Sequence, residues 1–277
     1  MKRISRLGLP SLWAPLLLLC ASALAAGTYA QDRPPAAPAE DRACGPWEIE
    51  PGCSEGEFLW INGISLYYEV RGQGEQLLLL HGGGGSAEHF NLMLPELAKH
   101  FRVITPDSRA QGRSTDTEEP LSYRLMVKDM IGLLDSLGID SAYVGGWSDG
   151  AAIAIHMAIY HPERVRALLL TPVDLSAEAL TEVFWEQVEQ WDVPEKLETW
   201  WRTRSSPAEE ELSGIRAPTL IVAGKDEQFI KHDHFAWWHR VIPKSELVWI
   251  PETDHFLVVN KPDEVNHVFL SFLNKRR

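Results

Sequence analysis

The period of the apolar positions changes repeatedly along the chain. From about residue 57, short runs that alternate or are continuously apolar give way to stretches with apolar residues every three or four positions. Residues 57–61 and 64–70 read as strands. Asn62-Gly63 between them is a strong type I′ hairpin signal. Residues 76–80 form a short apolar strand, as in the middle of a covered sheet. A helix is expected over 87–100 and a strand over 101–105. Ser122 caps a further helix whose stripe is Leu125, Met126, Met130, Leu133, Leu134 and Leu137, with both methionines as core. Strands follow at 143–145, 165–171, 219–223 and 247–250. An Ala-rich apolar run at 151–159 suits a buried helix, and an amphipathic helix follows Lys261-Pro262. This βα rhythm predicts an α/β domain. It breaks at about 175–213, which is acidic, helical in pattern and rich in aromatics: Phe184, Trp185, Trp191, Trp200 and Trp201.

Composition narrows the picture. The chain has 277 residues, 45% apolar, which is long enough for one large domain with a real core. Its formal charge of −13 argues against nucleic acid and anionic membrane as partners. Residues 1–26 read as a secretory signal, with Lys2, Arg3 and Arg6 ahead of a short apolar core and Ala23-Leu24-Ala25 as the cleavage site. The apolar run is short for a membrane span, so no stable membrane insertion is expected after cleavage. Residues 27–43 form a flexible Pro/Ala-rich linker, and 44–277 the folded domain. A secreted or periplasmic location follows. With the leader removed, Cys44 and Cys53 are the two cysteines left, and a bridge between them is expected.

The candidate chemistry centres on Gly146-Trp147-Ser148-Asp149-Gly150, set between a strand and a helix. This is the G-x-S-x-G nucleophile elbow in its expected context. The turn is so tight that a Cβ at Gly146 or Gly150 would collide with its surroundings. The Asp149 N–H, at the helix start, would point to where an oxyanion forms. At these residues the chain resembles the α/β-hydrolase family, and the spelling of the elbow is reminiscent of small esterase-like members, including valacyclovir-hydrolase-like enzymes. His81-Gly82-Gly83-Gly84-Gly85 resembles the family's Gly-rich loop after its third strand. That resemblance implies a second oxyanion donor, Gly83 first and Gly84 next. Residues 107–114 look like the family's Asp-x-Arg-Gly-x-Gly-x-Ser scaffold loop, with Ala110 and Gln111 as departures. Arg109 there is expected to be structural.

The resemblance implies an α/β-hydrolase fold: a mostly parallel eight-stranded sheet, helices on both faces, and a short helical lid at about 175–213. It also implies a Ser, acid, His order. His255, in the closing loop Pro251–Phe256, is the expected general base. For the acid, spacing favours Glu227, three residues after Gly224, while Asp226 has the commoner residue type one position early. Trp147, Trp185 and Trp191 are candidate pocket residues. His232, His234 and His239 make only a weak metal pattern, because His232 and His234 do not share a helical face. No metal or organic cofactor is needed. The expected activity is hydrolysis of a carboxylic ester of a small, apolar substrate through an acyl-enzyme. Amide, lactone and C–C bond hydrolysis and cofactor-free perhydrolysis use the same parts, and a non-catalytic binding protein with this fold is a further alternative.

Overall fold

The strands are β1 (Glu57–Ile61), β2 (Ile64–Arg71), β3 (Glu75–Leu80), β4 (Phe101–Pro106), β5 (Ala142–Trp147), β6 (Val165–Thr171), β7 (Thr219–Gly224) and β8 (Ser245–Ile250). They belong to a computed structural model that describes residues 56–173 and 175–276. The expected leader, the linker and the Cys44–Cys53 bridge lie outside the described residues. Among those described, the strands form one eight-stranded sheet in the order β1-β2-β4-β3-β5-β6-β7-β8. β1–β2 and β2–β4 pair antiparallel, and every later pair is parallel. The first hairpin turns at Asn62-Gly63, with Ile61 opposite Ile64.

The central strands carry unbroken apolar runs because helices cover both faces. On one side lie α2 (Tyr123–Ser136), α3 (Asp149–Tyr160) and α7 (His232–Val241), together with the lid. On the other lie α1 (Leu94–Leu97), α8 (Leu257–Asn260) and α9 (Pro262–Asn274). Ser122 caps α2 by accepting the Leu125 N–H at 3.2 Å. α3 is buried from Asp149 to Ala158, as its apolar residues on all sides require.

The helix expected over 87–100 is instead two short pieces, a 3₁₀ turn at Ala87–Phe90 and the single turn of α1. Pro95 explains the break. It lacks an N–H and its ring excludes a preceding helical turn, so it is tolerated only in a first turn, where it stands here.

Between β6 and β7 the chain forms a 3₁₀ turn and then α4 (Glu182–Val188), α5 (Glu195–Thr203) and α6 (Glu209–Ser213). The start of this lid is stitched to the loop after β7. Leu180 bridges Ile230, and the Thr181 N–H donates to the Phe229 carbonyl at 2.9 Å.

Candidate active site

Ser148 sits at the turn from β5 into α3 with φ 54° and ψ −119°, a conformation that L-residues adopt only under constraint. Its N–H is shared between the carbonyls of Thr171 (2.9 Å) and Pro172 (3.0 Å). A Cβ at Gly146 would lie 2.2 Å from the Gly150 carbonyl carbon, and one at Gly150 only 1.9 Å from the Leu80 oxygen. The two glycines are therefore what lets the helix start against the sheet and the serine stand at its edge.

The loop after β8 brings His255 to this corner. Its Nδ1 lies 3.1 Å and 3.2 Å from the two carboxylate oxygens of Glu227. The Glu227 side chain is fully buried, and its Oε1 also accepts the backbone N–H groups of Phe229 (2.8 Å) and Ile230 (3.2 Å). Those donors fix the carboxylate before any imidazolium forms. Asp226 is exposed. Of the two acids in question, the structure brings Glu227 to the histidine and leaves Asp226 in solvent.

The Gly-rich loop is held from below. The Ser108 N–H donates to His81 Nε2 at 2.8 Å, so Nδ1 carries the ring proton and donates to the Gly82 carbonyl at 2.7 Å. Burial lowers the His81 pKa and keeps this neutral tautomer. Gly85 N–H closes a turn onto the Gly82 carbonyl. The Gly84 N–H donates to Gln111 Oε1 at 2.8 Å. That bond overturns the expectation that Gly84 could serve as an oxyanion donor, because its proton is already engaged. Among the described residues, the N–H groups of Gly83 and Asp149 have no protein acceptor. The rest of the 107–114 loop is scaffold. Asp107 accepts from Ala87 and Arg113, and Arg109 is buried in a two-pronged pair with Asp129 at 2.6 and 2.8 Å.

The aromatic residues divide differently from expectation. Trp147 is buried, not a wall of the pocket. Its ring packs on Gly82 and His89, and its Nε1 donates to the His255 carbonyl at 2.8 Å, so it is a strut tying the elbow to both flanking loops. Trp185 packs on Phe184 and carries the half-exposed Arg202 over its ring. Trp191 meets Phe184 and Phe229, and Phe229 in turn lies 5.1 Å from the His255 ring. Phe256 contacts Phe229, His255 and Trp147. Phe229 and Phe256 escaped the sequence reading, although each is within two residues of a singled-out acid or histidine. Trp201 was expected only as one of the lid aromatics, and Arg204 was not singled out. Trp201 Nε1 donates to Asp149 Oδ2 at 2.6 Å, and Arg204 Nη1 pairs with Asp149 Oδ1. Among the described residues, no group of three or more His, Cys, Asp or Glu side chains could hold a metal. His232 instead bonds the Glu227 carbonyl at 3.0 Å.

Comparison with known proteins gives one consistent answer. The profile of the α/β-hydrolase fold matches residues 76–195. An uncharacterized hydrolase of Bacillus subtilis is 37% identical over 113 residues, 40% of this chain and 42% of that relative, so the match spans less than half of it. The 2-hydroxy-6-oxo-6-phenylhexa-2,4-dienoate hydrolase of Burkholderia cepacia is 25% identical over 267 residues, covering 77% of this chain and 92% of the relative. Among solved structures, a carboxylesterase from Bacillus subtilis superposes with a TM-score of 0.70 at 18% identity, over 82% of this chain and 93% of that one.

Proposed function

We propose that this chain, whose sheet has the α/β-hydrolase fold and whose residues 76–195 match that fold's profile, is an exported serine hydrolase that cleaves a carboxylic ester of a small, apolar molecule through an acyl-enzyme. One observation carries this reading: the His255 imidazole rests on a buried, doubly anchored Glu227, and its loop is tied by Trp147 to the turn that holds Ser148 at φ 54°. The acid fixes the proton on Nδ1, which leaves Nε2 as the base. That nitrogen takes the Ser148 Oγ proton as oxygen attacks the substrate carbonyl. The Gly83 and Asp149 N–H groups receive the oxyanion, and the collapsing intermediate expels an alcohol that His255 protonates. Water then repeats the sequence on the acyl-enzyme.

Ester cleavage is favoured over the C–C bond cleavage suggested by the dienoate hydrolase relative. A dienoate is an anion and calls for a cation at the site. Here the lid cation Arg204 is committed to Asp149, and the rings beside His255 are Phe229 and Phe256. The C–C reading stands as the second one, supported by that relative's length of match.

Turnover of p-nitrophenyl esters of graded acyl length, against a vinylogous diketone acid, tests the proposal. Ester turnover that is lost in Ser148→Ala supports it. Turnover of the diketone acid alone moves the assignment to the C–C reading. N-terminal sequencing of exported protein tests the leader, with a start after Ala25 or Ala26 expected.

A further inference from the structure

The residue after the nucleophile poses an electrostatic problem. Asp149 supplies a backbone N–H to the place where negative charge would develop, yet it also brings a carboxylate to the same corner. That carboxylate is buried, and its Oδ2 packs so closely on the Gly-rich loop that a Cβ at Gly83 would lie 2.2 Å from it. It therefore sits between the carriers of the two oxyanion donors. An uncompensated anion there would oppose the oxyanion and would itself be costly to bury.

Both of its oxygens are met from the lid. Trp201, on α5, donates its Nε1 proton to Oδ2 at 2.6 Å, and Arg204, which caps α5, pairs with Oδ1. Arg204 is as buried as its partner, and its Nη1 also donates to the Tyr123 hydroxyl at 3.1 Å. The Tyr123 ring is stacked on His156 of α3, with centroids 4.0 Å apart. The Trp201 ring also presses on the Gly-rich loop, because the same Cβ at Gly83 would lie 2.4 Å from its Cζ2. The end of α5 is thus docked on the elbow and on the loop at once.

We propose that Arg204 and Trp201 are positioning residues for the oxyanion hole. They neutralise and aim the Asp149 carboxylate so that the Gly83 and Asp149 N–H groups can receive negative charge. The lid then does more than cover the site. With α5 docked, the hole is compensated; with α5 displaced, it carries its own anion, and Ser148 loses reactivity. Reactivity is coupled to lid docking through one carboxylate. This inference rests on the serine hydrolase reading above.

The test is the second-order rate of labelling by a small fluorophosphonate, which reports serine activation and the oxyanion hole without knowledge of the substrate. Removing one oxyanion donor from a hydrolase slows it by about 100-fold or more. Arg204→Gln, which spoils the hole without deleting a donor, should slow labelling by about 30-fold or more. Removing the charge as well, in Asp149→Asn/Arg204→Gln, should restore about tenfold of that loss, which is about 1.4 kcal/mol of barrier. A merely structural ion pair is broken as surely by Asp149→Asn alone and would slow both single variants alike, whereas charge at the hole predicts that Asp149→Asn, which keeps the backbone N–H, labels at least about tenfold faster than Arg204→Gln. Trp201→Phe, which leaves Arg204 in place, should slow labelling several-fold and recover in the same way with Asp149→Asn. It decides the matter if Arg204→Gln does not fold. Labelling of Arg204→Gln at the wild-type rate, or a double variant no faster than the single, overturns the proposal alone. A folded wild type that takes no label contradicts the hydrolase reading beneath it.

Discussion

At the residue scale, one side chain was legible from a backbone demand and one from the resemblance of its loop. Ser148 lies between glycines that nothing larger can replace, and His255 falls in its expected closing loop. The acid was not legible in the same way. Asp226 and Glu227 are adjacent; spacing favoured Glu227, the commoner residue type favoured Asp226, and the two signals together left both open. What separates them is the turn after β7, where the Phe229 and Ile230 N–H groups converge on Glu227 Oε1 while Asp226 faces water. We expect Glu227→Gln to lower kcat by about 10²- to 10⁴-fold, since an amide no longer fixes the Nδ1 proton or stabilises the imidazolium. Asp226→Asn should leave kcat within about twofold, as a change at an exposed position remote from the reacting atoms. Steady-state kinetics on one ester decide it, and the reverse ranking would assign the acid to Asp226. Trp147 was misplaced for a simple reason. As the last residue of β5 its ring falls into the cluster with Leu257 and Val258, on the face of the sheet away from the lid, while Ser148 lies beyond the strand in the turn.

At the element scale, the strands and α2 followed from period and capping and α3 from its continuous apolar run, whereas 87–100 did not follow, because Pro95 counts for more than the apolar spacing. The lid was legible as an insertion but not in its attachments. Asp149 and Arg204 are 55 positions apart, and no local pattern pairs them. The same limit applies to its aromatic residues. Trp191 reaches His255 through Phe229, while Trp185 lies under Arg202 on the outer side. Trp191→Ala should therefore change the preference between short and long acyl esters by about tenfold, the scale of a methylene or two in an apolar pocket. Trp185→Ala should leave that ratio unchanged. Ratios of kcat/KM over a series of acyl lengths measure both, and equal effects would show that neither ring bounds the acyl group.

At the scale of the whole molecule, packing takes the imidazole of His156 out of water and shields those of His89 and His234 in part. Burial lowers the pKa of His89, His156 and His234 from 6.5 to about 4 in each case. The unfolded chain takes up these protons near 6.5 and the folded chain only near 4. Between those values the unfolded state binds more protons, so stability falls as pH drops through the window and is insensitive to these groups above it. Urea unfolding at pH 7.5, 6 and 5 should show a midpoint that is steady at first and then falls. Replacing His156 by Gln should flatten the fall, and an unchanged midpoint from pH 7.5 to 5 would contradict the assignment.

The central claim is that this fold exists to activate one serine. It is tested most directly by labelling the protein with a fluorophosphonate and mapping the modified peptide by mass spectrometry. The adduct should lie on Ser148 and disappear in Ser148→Ala and in His255→Ala, with both variants still folded. A label on any other residue, or an adduct on Ser148 that forms as fast without His255, would contradict the account.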